Sequence, residues 1–115
     1  MPFLGENQNN KMNNNNYVFQ RVENIACKCV TEAMGCPVSE DCIYSGHTKT
    51  TLVVSVARQL AFLFMHDHYG ISYRRIAERA QMTVNAVIKC VGKARRYRFS
   101  DPIYNLVYDM INSKL

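Results

Sequence analysis

Ser72 to Arg98 gathers most of the chemistry this chain has to offer. The stretch holds Arg74, Arg75, Arg79, Lys89, Lys93, Arg95, Arg96 and Arg98 against one anion, Glu78. Its net charge is +7 in a chain of +5, so the remainder is net negative at −2. A polarised cation cluster of this kind suits a polyphosphate surface, because each neutralised phosphate releases condensed counterions. Near the start of the second half of the stretch stand Thr83, Asn85 and Lys89. An asparagine amide donates and accepts at once, matching adenine, and a lysine ammonium suits the acceptors of guanine. Thr83 is placed either to reach a base or to cap a helix beginning at Val84.

Two helices must hold these side chains. Ile76, Ala77, Ala80, Met82, Val87 and Cys90 are apolar or small at the positions where two short helices crossing steeply bury side chains against each other, the spacing of a helix-turn-helix over about 72–98. Ser72 is a cap for the first helix. In the second, Val84, Val87, Ile88, Val91 and Ala94 are expected to face inward, with Asn85, Lys89, Lys93 and Arg96 forming the opposite polar row. On this reading helix 84–97 lies in the major groove of double-stranded DNA. Thr83, Asn85 and Lys89 would contact bases, while Lys49, Arg74, Arg75, Arg79, Lys93, Arg95, Arg96 and Arg98 would hold phosphates.

The rest of the chain reads as scaffold. Residues 1–16 carry an Asn/Gln-rich run with little to pack and are expected to form an unordered tail, leaving 17–115 as a single domain. Val18, Val22, Ile25, Ala26, Cys29, Val30 and Ala33 recur at helical steps until Gly35 and Pro37. Ser39 can cap a short helix through Ile43 and Tyr44. A polar loop, Gly46 to Thr51, carries His47 and Lys49. From Leu52 to about His68, Val53, Val56, Ala57, Leu60, Leu63 and Phe64 make a wide stripe, and Phe62 and Met65 broaden it into a helix packed on more than one side. Asp101 with Pro102 is a strong helix start. Ile103, Leu106, Val107, Met110 and Ile111 then supply an apolar face that closes the core or meets a second subunit, so a homodimer is permitted. The fold class expected is all-α, with about six helices around a central helix-turn-helix.

Several chemistries are unsupported. Cys27, Cys29, Cys36, Cys42 and Cys90 are an odd set without a repeated CxxC, so reduced thiols are expected rather than a disulfide framework. Positions 27 and 29 stand about 200° apart on a helix, which is poor geometry for a zinc site with Cys36, Cys42 or His47. No metal and no cofactor are expected, and His66 and His68 read as surface polar residues. No nucleophile and base pair, carboxylate pair or glycine-rich phosphate loop suggests an enzyme. No apolar run approaches the roughly 20 residues of a membrane span. Without a secretion signal at the N-terminus, the expected location is cytoplasmic.

The order of elements from about Asn24 to Leu115 resembles the C-terminal DNA-binding domain of the bacterial replication initiator DnaA. The anchors are Val56-Ala57-Arg58-Gln59-Leu60-Ala61, Ser72 with Ile76, Val87-Ile88 and Lys93. The resemblance implies a fold of the Trp-repressor-like superfamily, duplex DNA as partner, and a setting in replication or transcription control. Two parts of the family's pattern are replaced. Where the initiators carry an Asp-His-Thr-Thr-Val signature, this chain has Thr83-Val84-Asn85-Ala86-Val87, and the arginine-rich loop is reduced to Lys49. A helical interaction module that keeps this fold and binds a protein is the alternative. Arg58, on the central helix, is expected to pack its stem and form a salt bridge. The tyrosines at 69, 73, 97, 104 and 108 are expected in the core or an interface.

Overall fold

A computed structural model describes the backbone of residues 2–44 and 51–115, with side chains from Asn16 onward. Lys49 and His47 lie outside the described residues. Among the described residues, five α-helices and one short 3-10 helix follow in order: α1 Pro2–Met34, the 3-10 helix Glu40–Ile43, α2 Leu52–Asp67, α3 Tyr73–Ala80, α4 Val84–Ser100 and α5 Pro102–Lys114. No strand occurs among the described residues, and the fold is all-α as expected. The backbone of α1 is helical from Pro2, through the segment expected to be an unordered tail. Once the apolar-faced half of a helix is nucleated, each further residue adds a backbone hydrogen bond at small cost, and asparagine weakens that extension without forbidding it.

α2 is the hub, packing against every other α-helix and the 3-10 helix. From Val56 to Met65 every residue except Arg58 is buried. The two polar side chains in this run are both answered. Gln59 Oε1 accepts from the Tyr104 hydroxyl at 2.8 Å, joining α2 to α5. Among the described residues Arg58 makes no salt bridge, contrary to expectation. It donates to the carbonyls of Ile43, Cys42 and Tyr44 at 2.6, 3.2 and 3.1 Å. These carbonyls close a helix too short to satisfy them, so the guanidinium fork acts as a C-terminal cap supplied from another element.

The 3-10 helix follows Ser39, whose side chain makes no capping hydrogen bond, whereas α2 to α5 each begin on a capping side chain. Thr51 Oγ1 accepts from Val54 N, Ser72 Oγ from Arg75 N, and Thr83 Oγ1 from Ala86 N. Asp101 Oδ1 accepts from Ile103 N at 2.8 Å and Tyr104 N at 3.4 Å, with Pro102 in the first turn. Gly70, at φ +69°, ends the turn after α2. Gln81 does the same for α3 at φ 56°, although it carries a side chain, and Met82 N donates back to Ala77 O at 3.0 Å. That six-to-one bond is the geometry of a Schellman termination.

The buried set runs through all five α-helices, with Val22 and Val30 from α1, Leu60 and Phe62 from α2, Ile76 from α3, Val87 and Val91 from α4, and Val107 and Ile111 from α5. Burying each such side chain contributes about 1.5–3 kcal/mol before conformational entropy is charged. Leu106 does not join them: it is 48% exposed, because α5 turns only Tyr104, Val107 and Ile111 fully inward. His66 is half-buried rather than a surface residue. Its Nδ1 lies 2.8 Å from Ile71 O and its ring stacks on Tyr73 at 3.9 Å.

Candidate functional site

The residues singled out by charge sit on α3, α4 and the three-residue turn between them. Ile76, Ala77 and Ala80 of α3 are buried, as are Val87, Val91 and Ala94 of α4, which fixes how each helix is rotated. Ala77 is small enough to let the two helices approach. With those residues inward, Arg74, Arg75 and Glu78 of α3 are exposed, together with Thr83, Val84, Asn85, Ile88, Lys89, Lys93, Arg95 and Arg96.

Thr83 is committed to its cap, accepting from Ala86 N at 3.1 Å, while remaining exposed. Asn85 and Lys89 are exposed on the first turns of α4, as the polar row requires. Val84 and Ile88 are not inward. They are 39% and 43% exposed. At 100° per residue the buried trio Val87, Val91 and Ala94 spans a narrow arc of about 60°, and Val84 and Ile88 fall on its outer shoulder. Apolar periodicity counted all five residues as one stripe, which was too wide for the neighbours available.

The cations divide into two groups. Arg79 is held within the fold. Its Nε donates to Glu23 Oε2 at 2.9 Å and to the Tyr44 hydroxyl at 3.0 Å, and a terminal nitrogen donates to Glu23 Oε1 at 3.1 Å. Its guanidinium also lies over the rings of Phe19 and Tyr44, and the side chain is 27% exposed. Arg79 therefore seats α3 on α1 and the 3-10 helix. Burial pushes the Glu23 carboxyl above its ordinary value, with Arg79 pulling the other way. Arg95 is paired with Asp67 at the end of α2, in an exposed contact. Arg98 lies over the Tyr108 ring, 3.7 Å from its centroid, and beside Phe99.

Arg74, Arg75, Lys89, Lys93 and Arg96 form the second group. All five are exposed, and among the described residues the ion pairs go instead to Arg79, Arg95 and Lys114. Arg74 and Arg75 lie on α3 and the other three on α4, whose N-terminus adds the positive end of the helix dipole.

Gly92 was missed by sequence reading, although it stands in mid-helix. A Cβ added there would meet nothing within 4 Å. It continues the line of Val84 and Ile88 at i+4 spacing. Nothing inside the fold asks for a glycine at this point, and the sequence signal was simply its place within a helical pattern.

Burial pushes the Cys27 thiol up to about 12 and the Cys29 and Cys90 thiols above their usual value, which holds all three protonated at neutral pH. Among the described residues no three His, Cys, Asp or Glu side chains gather to hold a metal ion, and no helix is long and apolar enough to cross a membrane. In comparisons with known proteins, no family model, curated protein or solved structure matches this chain.

Proposed function

We propose that this chain binds double-stranded DNA, using α3, the turn 81–83 and α4 as a helix-turn-helix with the N-terminal half of α4 in the major groove. The observation that carries the reading is the set of five exposed cations without ion-pair partners among the described residues, carried with the exposed Asn85 on two successive helices, α3 and α4. Asn85 and Lys89 contact base edges in this reading, and Thr83 serves first as the cap that sets the start of α4. Arg74, Arg75, Lys93 and Arg96 hold phosphates. Arg79 does not, being engaged by Glu23; Arg95 and Arg98 would first have to leave Asp67 and Tyr108. The kinship with the initiator's C-terminal domain belongs to the same proposal, with the base-reading residues changed.

Fluorescence anisotropy with labelled duplexes tests the reading. Four phosphate contacts predict a slope of log K against log salt of about −3.6. Lys89→Glu with Arg96→Glu should abolish binding at moderate salt while leaving the helical circular dichroism intact. Absence of affinity at low salt refutes the proposal. A second reading, a helical module that docks on a protein, draws support from Phe99, 77% exposed, beside the exposed Leu106 at the α4–α5 corner. It is favoured if duplex binding fails.

A further inference from the structure

We infer that Val84 and Ile88 read the 5-methyl groups of thymine, so that the duplex preferred by this chain carries thymines where the first turns of α4 enter the groove. The inference rests on the duplex-binding reading above and specifies its target. Val84 and Ile88 are 39% and 43% exposed, whereas Val87 and Val91 on the same helix are fully buried. The rotation of α4 is thus set by its buried side, and the two aliphatic side chains face outward as a consequence. They stand one helical turn apart on the shoulder of α4 between its buried arc and the polar row, with Asn85 and Arg96 lying next beyond Ile88 around the helix and Lys89 following it in sequence. An apolar pair in such a setting calls for a partner that is apolar at the point of contact and anionic around it. A major groove supplies both, since phosphates line its walls and the thymine methyl is the apolar group among its base edges.

The spacing is compatible as well. Residues one turn apart on α4 are separated by about 5.4 Å along its axis, so Val84 and Ile88 reach bases within about two base-pair steps of each other. Asn85, between them in sequence, suits an adenine. Together the three favour a short A·T segment, a preference the changed signature at 83–87 does not by itself reveal.

The experiment begins with selection of bound duplexes from a random pool by the full chain. Thymines of the selected site are then replaced singly by deoxyuridine, which removes the methyl and leaves the base-pairing pattern intact. Each of two replacements should weaken wild-type binding by about 3–5-fold, the loss expected for one buried methyl. Val84→Ala with Ile88→Ala should bind the thymine and uracil duplexes equally. Circular dichroism checks that this variant folds, and alanine at two exposed helical positions is benign. If the wild type binds duplex yet is indifferent to deoxyuridine, or selects no thymine, the inference is overturned while DNA binding stands. Residual uracil sensitivity in the double variant overturns it too, by giving the methyls to another residue. Self-association of the wild type that the double variant loses would assign the strip to a second copy of the chain. If the wild type binds no duplex at low salt, the parent reading falls and takes this one with it.

Discussion

Replacing Gly92 with alanine should stabilise this protein. The glycine lies inside α4, eight residues from either end of Val84–Ser100, where a glycine costs about 0.8–1.0 kcal/mol relative to alanine in backbone entropy and exposed peptide. That gain is often cancelled by a clash, but here the new Cβ meets nothing within 4 Å and the backbone is ordinary right-handed helix. The full propensity term should therefore appear, about 1 kcal/mol. An unfolding entropy of about 2.1 cal/mol/K per residue over 115 residues converts this to a rise in Tm of about 4 °C. Urea unfolding followed at 222 nm, with a thermal scan, measures both quantities, and an unchanged m-value shows that the native state is being reported. A destabilised or unmoved variant refutes the reasoning, since it would mean that Gly92 is held against something or that α4 is frayed there. Duplex binding by the same variant carries separate information. A stabilised protein with weakened binding would mark Gly92 as a residue retained for close approach to a groove, in line with the usual exchange of stability for function.

Three other perturbations test the scaffold. Tyr104→Phe leaves Gln59 Oε1 buried without its 2.8 Å donor and should cost about 1–3 kcal/mol in urea unfolding; an unchanged midpoint would show the bond is dispensable. Gln81→Gly relieves a side-chain-bearing residue of its left-handed backbone at φ 56° and should stabilise by about 0.5–1 kcal/mol, with a loss counting against the turn geometry described. Burial raises the Glu23 carboxyl above 4.5, so the folded chain holds this proton more tightly than the unfolded one does. The stability Glu23 contributes is therefore greatest below about pH 4.5 and declines as pH rises through the raised folded value, becoming flat above it. The stability difference between wild type and Glu23→Gln, measured by urea unfolding across that window, should fall with rising pH, and a difference that grows would reverse the assignment.

Local physical chemistry determined much of this protein without reference to any neighbour. Ser72, Thr83 and Asp101 cap helices because a short oxygen-bearing side chain can reach a free N–H two or three residues on, an interaction complete within one turn. The apolar residues spread around the helix from Val56 to Met65, interrupted only by Arg58 and Gln59, likewise required α2 to be central, since a helix with apolar residues on nearly every side must be covered on nearly every side. The concentration of charge between Ser72 and Arg98 was equally plain in the sequence.

Which of those charges are available was decided only by tertiary packing. Arg79 meets Glu23 across 56 positions and Arg95 meets Asp67 across 28, contacts that depend on where α1 and α2 come to lie and leave no local periodicity to read. Arg58 serves carbonyls on a separate 3-10 helix for the same reason. The outward turn of Val84 and Ile88 is the subtler case, because helical spacing groups them with Val87 and Val91 and cannot say how wide the buried arc is. That width is set by how much surface α2, α3 and α5 present to α4, and it left two aliphatic side chains exposed at the border of the polar row.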